Sequence, residues 1–229
     1  VEQVTVTGLS GPDAGRARAA LAGAARAMTT LDIDRERLER TAAGYPAVRA
    51  LEIDRDLPNG LAIHVVEHRP VAIVVDGDRR VAVATDGTIL SGLPVDGALP
   101  ELRVRDAARE RLEPGSGLAA ARVAGGAPAQ LRTRLASVAR GPQRGIVITL
   151  RDGGTELVFG PPTRIAAKWA AATRVLADGV AGASYLDLRL PDRPVAGGLP
   201  APVADDPVDP TTRGGEEAPQ PAPAEAVAP

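Results

Sequence analysis

The string His64-Val65-Val66-Glu67-His68 matches H-x-x-E-H, the spacing with which some zinc peptidases hold a metal from one helix. Two imidazoles four residues apart can share one ion only on a helix, where they lie about 6 Å apart on one face. On a strand, at a rise of ~3.3 Å per residue, the same rings are about 13 Å apart, and Zn–N bonds of about 2 Å cannot bridge them. The flanking residues decide between the two conformations. Leu61, Ile63 and Val65 repeat at period two, Asn59-Gly60 precedes them as a turn, and Pro70 would cut short a helix begun here. We therefore expect His64 to face solvent from a strand and His68 to end it. These are the only two histidines, so no third imidazole completes a metal site, and neither metal nor cofactor is expected.

Other residue types that could do chemistry have plainer readings. Asp32, Asp34, Glu36 and Glu39 gather at the start of a helix, where capping and a solvated face account for them better than paired acid–base catalysis. Gly153-Gly154 and Gly160-Pro161-Pro162 punctuate a hairpin and a helix start; a phosphate loop needs G-x-x-x-x-G-K-[ST], which does not occur. None of Ser10, Ser91, Ser116, Ser137 and Ser184 stands in a G-x-S-x-G setting. Arg55 reads as a strand end. There is no cysteine, which excludes thiolate catalysis, thiolate-bound zinc and disulfides. The 27 bases and 29 acids leave a net charge of −2, without the concentrated basic face that nucleic acid requires. These residues therefore point away from zinc, thiolate, serine and phosphate-loop chemistry and from nucleic-acid binding.

The elements that would position these residues follow from periodicity. Residues 2–7 alternate and end at Gly8, as a strand does; residues 13–28 place Leu21, Ala25 and Met28 on one helix face. A second helix starts at Asp34, its N-cap, carries Leu38, Ala42 and Tyr45 on one side, and stops at Gly44-Pro46. "VRALEI" and "LAIHVV" form a hairpin through Asn59-Gly60, a dipeptide suited to a turn with two positive φ angles. A second block follows Pro70: strands "VAIVV", "RVAVA" and "TIL" with turns at Asp76-Gly77 and Asp86-Gly87. Residues 91–126 are vague apart from a short strand in "LPELRV". A helix is expected over 127–140, with Leu131, Leu135 and Val138 on one face. "GIVITL" and "TELVFG" flank Asp152-Gly153-Gly154 as a hairpin. Thr163 is expected to cap a helix that turns Ile165, Trp169, Ala172 and Leu176 inward and closes at Gly179, and "SYLDLRL" is expected as the last strand.

From Val195 onward the 35 residues include eight prolines, and residues 196–229 hold six acids against one base, leaving the rest at +3. Such a segment cannot bury enough apolar surface to offset its ordering entropy. Aromatics are 2% of the chain, so the core must be aliphatic, with Tyr45, Phe159, Trp169 and Tyr185 as its few rings. No run approaches the roughly 18–20 apolar residues of a membrane span. A start inside a strand without Met suggests a piece of a longer chain, whose anchor or signal would lie upstream.

"YPAVRALEIDRDLPNGLAIHVVEHRPVA" resembles the end of the POTRA domain in the FtsQ/DivIB family of bacterial division proteins. The matching places are Pro46, Val48, Leu51, Ile53, Arg55, Pro58, Leu61, Ile63, Val65, Glu67, Pro70, Val71 and Ala72; Leu57 departs from the usual aromatic before Pro58. Upstream, "VTVTG" and "LDIDRERLER" are similar to that family's first strand and second helix. Downstream, "RVAVATDGTIL", "LPVDGALPEL", "GTELVFGPPTRIAAKWAAATRVL" with Lys168, and "SYLDLRLPDRPV" resemble its later segments. The resemblance implies an α+β chain: an N-terminal POTRA domain (β-α-α-β-β, residues 1–69), a mixed β-domain with helices packed on its sheet (70–195), and a disordered Pro/Ala-rich acidic tail (196–229). It implies a non-catalytic divisome scaffold, anchored in the cell membrane by one helix absent from this chain, with the present region extracytoplasmic and concentrated at the division septum. The implied partners are FtsB/DivIC-like and FtsL-like proteins, captured by strand addition at the free edge of the last β-strand. By position that edge is Tyr185, Leu186, Asp187, Leu188, Arg189 and Leu190, ending near Pro191, which lacks a ladder donor. The alternative is a substrate-handling POTRA module of an outer-membrane assembly or secretion pore, which would lead into a long β-barrel rather than a Pro/Ala tail.

Overall fold

The structure, a computed structural model of the chain, describes residues 1–95, 97–104, 109–179 and 182–198. Its fold is α+β. The first block runs β1 (Gln3–Thr7), α1 (Ala14–Arg26), α2 (Arg35–Ala43), β2 (Val48–Asp56) and β3 (Gly60–Glu67). The three strands form one sheet in the order β1-β3-β2, with β3 parallel to β1 and antiparallel to β2. Leu61, Ile63 and Val65 point from β3 onto the helices, as period two dictates, and meet Leu21 and Ala25 of α1 and Leu38 and Ala42 of α2. Asp34 is the N-cap of α2; its carboxylate accepts the Arg37 N–H at 2.9 Å.

The β2–β3 hairpin exists, but not through the expected turn. Neither Asn59 nor Gly60 has a positive φ; the connection is Leu57-Pro58-Asn59, with a cis Leu57–Pro58 bond, and Gly60 already pairs with Asp56. A Cβ on Gly60 would lie 2.7 Å from the Asp56 carbonyl oxygen, so close approach, not handedness, selects glycine there.

The second block runs β4 (Pro70–Asp76), β5 (Arg79–Ala84), β6 (Ile89–Leu90), β7 (Glu101–Arg103), α3 (Ser116–Gly125), α4 (Ala129–Arg132), β8 (Leu135–Gly141), β9 (Gly145–Leu150), β10 (Glu156–Gly160), α5 (Ile165–Asp178), β11 (Tyr185–Asp187) and β12 (Val195–Gly197). These strands form a nine-stranded sheet in the order β12-β11-β10-β9-β8-β7-β4-β5-β6. The parallel pairs β7–β8 and β10–β11 are each joined through helix, α3 with α4 and α5, because parallel neighbours need a crossover. Ile146, Ile148, Leu157, Phe159, Leu186 and Leu188 form one side of the core, and Val123, Trp169 and Ala172 come down from the helices.

Four sequence expectations are corrected here. No helix spans 127–140: α4 is only four residues long, and β8 begins at Leu135. The three-residue spacing of Leu135 and Val138 arises from a register shift between Leu135 and Ser137, which turns both side chains onto the core from a strand. Within the vague stretch 91–126, β7 is the expected short strand, but α3 was not foreseen; its buried residues, Ala120, Ala121, Val123 and Ala124, keep the i, i+3, i+4 spacing of one face, but the run Leu118–Ala121 is apolar on all sides and mostly alanine, so the face has little contrast in the sequence. Thr163 does not cap α5. That position belongs to Arg164, which has a left-handed φ of 51° and no capping hydrogen bond. Finally, "SYLDLRL" is not the last strand: β11 stops at Asp187 and β12 follows it, so ordered pairing continues through residues assigned to the tail. Residues 199–229 of that tail lie outside the described residues.

Candidate interaction edge

The outermost strand on one side of the large sheet is β12. Among the described residues it pairs antiparallel with β11 alone, in the register Tyr185↔Gly197, Leu186↔Ala196 and Asp187↔Val195. The opposite end of the sheet differs. There Ile89 and Leu90 of β6 are buried, and the segment 110–112 closes over them: the Ile89 N–H donates to the Glu110 carbonyl and the Leu112 N–H to the Gly87 carbonyl. Tyr185–Leu190 is therefore not the free edge expected from the sequence; its β11 portion lies between β10 and β12.

The six residues proposed as a partner site divide by burial. Leu186 and Leu188 are fully buried and belong to the core. Leu188 also donates its N–H to the Val158 carbonyl, which fixes the strand's end from inside. Tyr185 and Leu190 are exposed, by 37% and 66%, and Val195 on β12 joins them at 57%. Tyr185 lies across β12, where a Cβ on Gly197 would sit 2.2 Å from its ring, so any larger residue there must displace the tyrosine.

Charged groups frame this edge. The Arg144 guanidinium sits 5.9 Å from the Tyr185 ring centroid and donates to Glu156 at 2.6 Å. Asp187 accepts from the Arg189 N–H at 2.9 Å and from its guanidinium at 2.6 Å. Burial pushes the Asp187 carboxyl up, but the Arg189 hydrogen bonds and charge, with Arg144, outweigh it and hold the group below its ordinary value. Arg164 grips Asp192 through both guanidinium nitrogens, at 2.8 and 3.1 Å, tying the β11–β12 connection to the start of α5. Behind it the sole lysine, Lys168, is buried and donates to the carbonyls of Phe159 and Pro161 at 2.6 and 2.8 Å. Burial, then the neighbouring Arg164, push its ammonium below the ordinary lysine value, while Asp187 works against them.

The histidine motif lies elsewhere and does not assemble. His64 is exposed on β3 opposite Glu52, its Nδ1 3.1 Å from the Thr7 hydroxyl. Glu67 accepts from the N–H and hydroxyl of Ser10. His68 follows β3, half-buried, with Nδ1 3.8 Å from Asp86. The strand geometry, not a helix, governs their spacing. Glu36 and Glu39 form i,i+4 pairs with Arg40 and Arg35, and Asp32 and Arg55 are exposed. Among the described residues no group of three or more His, Asp or Glu side chains could hold a metal ion. Sequence reasoning missed Val195–Gly197, Arg144 and the Arg164–Asp192 pair. The signal for β12 was present in "PDRP", a turn between "LDL" and "VAG".

A family model described as cell division protein FtsQ/DivIB, C-terminal, matches residues 72–189, from β4 to just past β11. This chain belongs to the FtsQ/DivIB family. It is a cell division protein. Among solved structures the chain is similar to the major extracytoplasmic domain, as the trans isomer, of the bacterial cell division protein DivIB from Geobacillus stearothermophilus. That similarity is 18% in sequence identity, with a TM-score of 0.37 over 49% of this chain and 93% of that one. No curated protein matches the sequence. In this FtsQ/DivIB chain β12 lies beyond the residues matched by the family model.

Proposed function

We propose that this chain is the extracytoplasmic part of a membrane-anchored, non-catalytic division scaffold. It comprises a POTRA domain over residues 1–69 and a β-domain from residue 70 through β12. An apolar helix upstream of Val1 anchors it, and it concentrates at the division septum. Its task is to capture an extended segment of an FtsB/DivIC-like protein, with an FtsL-like protein in the same assembly.

The observation that carries this reading is β12, an outer strand that among the described residues is paired on one side only and is free of charged residues. Natural sheet edges are blunted by charge, proline, short length or covering; β12 is three residues long and follows Pro194, so the strand addition proposed here pairs over a short, uncharged stretch. Main-chain hydrogen bonds along β12 supply affinity, and alternate side chains supply selectivity. Tyr185, Leu190 and Val195 offer apolar contact, with Arg144, Asp187 and Arg189 at the rim. Leu186 and Leu188 serve by packing beneath. The edge assigned to the partner thus moves one strand outward from the position expected from sequence.

The test uses Ala196→Pro, which puts a residue without an N–H into β12, and Val195→Lys, which charges the edge without altering the backbone. A peptide from the extracytoplasmic region of the FtsB/DivIC-like protein should bind each variant at least about tenfold more weakly, while far-UV circular dichroism and Trp169 fluorescence stay unchanged. Undiminished affinity in both folded variants rejects β12 as the docking edge.

A further inference from the structure

The two most exposed large apolar side chains in the described residues are Leu31, at 85%, and Leu57, at 68%, and both belong to the first block, far in sequence from the partner edge. They stand in different connections, Leu31 between α1 and α2 and Leu57 between β2 and β3. Hydrogen bonds bring these connections to one pole. The Thr30 hydroxyl donates to the Pro58 carbonyl at 2.9 Å, so the two leucines flank a single contact. Val1 is held at the same pole: its nitrogen donates to the Met28 carbonyl at 2.6 Å, and the Glu2 N–H donates to the Asn59 carbonyl at 2.9 Å. Chain emerging from Val1 thus leaves beside Leu31 and Leu57.

We infer that this pole is a lipid-contact site, at which Leu31 and Leu57 enter the interfacial region of the bilayer when the domain is tethered through residue 1. The inference rests on the upstream anchor proposed above, and on that anchor joining residue 1 through few residues, which would fix the pole that faces the membrane. The contact is apolar rather than electrostatic. Glu2, bonded to Asn59, and Asp32 and Asp56, each next to one of the leucines, place carboxylates at the pole, and these are repelled by anionic headgroups. Neutral lipid should therefore serve as well as anionic lipid. Two leucines bury too little area to hold an untethered protein on a surface, so the contact orients the domain without recruiting it.

The chain contains no cysteine, so Leu31→Cys, Leu57→Cys and Leu190→Cys variants can each carry a single environment-sensitive dye. The protein, with a histidine tag at residue 1, is bound to phosphatidylcholine vesicles containing a nickel-chelating lipid, and in parallel to vesicles with added phosphatidylglycerol. Dyes at 31 and 57 should shift to the blue and be quenched by spin-labelled acyl chains on both vesicle types. The dye at 190 should do neither, and imidazole should release the protein. If dyes at 31 and 57 report water while the protein is tethered, or respond only on anionic vesicles, the lipid-contact site is wrong. The tether is artificial, so such a result leaves the natural anchor untouched. The anchor itself fails separately, if the full-length gene product carries no apolar helix upstream.

Discussion

Trp169 ties three elements together at a single side chain. Its ring packs against Phe159 of β10 at a centroid distance of 4.8 Å, and its indole N–H donates to the Val123 carbonyl at 2.9 Å. Val123 stands in the last turn of α3, where carbonyls lack an intrahelical partner, so α5 completes the end of α3. Trp169→Ala should cost about 3–5 kcal/mol in urea unfolding, through lost burial and a cavity. Trp169→Phe keeps most of the ring but orphans a buried carbonyl, and should cost about 1–3 kcal/mol. Equal costs for the two variants would show that the hydrogen bond, not the packing, dominates. The burial of Trp169 was legible from its helical period in the sequence. Its bond to Val123 was not, because α3, mostly alanine and apolar on several sides, offered too little contrast to be recognised.

At the scale of elements, helix starts separate what local sequence fixes from what the fold imposes. Asp34 caps α2 as its position before the helix suggests, and Asp34→Ala should lower the unfolding free energy by about 1 kcal/mol. Thr163 has the same credentials before α5, yet the helix starts from Arg164 in a left-handed conformation. Thr163→Ala should therefore change stability by less than about 0.5 kcal/mol, as exposed substitutions away from special features do. Thermal melts of the two variants side by side check both. The reason is the preceding loop: Gly160 has a φ of +67°, and the Phe159 and Pro161 carbonyls are drawn onto Lys168, so the chain enters α5 at an angle set by tertiary contacts. The β8 segment teaches the same lesson, since its bulge imitates a helical spacing that only pairing with β9 exposes.

For the whole molecule, the two large cores share no residue among those described: one is built from residues up to Val65, the other from Val71 onward, with a small third cluster of Ala82, Ala84, Leu90 and Leu93 in the second block. The sole Trp reports only on the second. Leu38→Ala, at a fully buried site of the first core, should cost about 2–5 kcal/mol there and advance the circular-dichroism transition. The Trp169 fluorescence transition should stay in place; a common shift would show the two blocks to unfold as one. Between the blocks, His68 is held below its ordinary value of 6.5, first by burial, then by Arg49 and Arg111, with Asp86 acting the other way. As pH falls below 6.5 the unfolded chain takes a proton that the folded chain refuses, so stability declines. Asp86 is also pushed up by burial, but Thr88, His68 and Arg111 hold it below its ordinary value of 3.8, so its contribution is lost only as pH falls further. His68→Gln should flatten stability just below pH 6.5 and reduce, without abolishing, the loss below 3.8, because Thr88 and Arg111 still hold Asp86; denaturant titrations at each pH decide it.

The sequence by itself determined the β-conformation of the histidine segment, the β-α-α-β-β order of the first block, the burial of Trp169 and the absence of thiol chemistry. Each follows from neighbours within a few residues: period two across Leu61, Ile63 and Val65, a cap at Asp34, an apolar face on α5. Only the tertiary structure decided the turn at Leu57–Asn59, the strand character of Leu135–Gly141, the presence of α3 and the outer position of β12. Those depend on which strands pair and how closely backbones approach, and pairing energy comes from residues distant in the chain. The same reason moved the candidate docking edge: Tyr185–Asp187 alternates like an edge strand, but Val195–Gly197 returns to cover it.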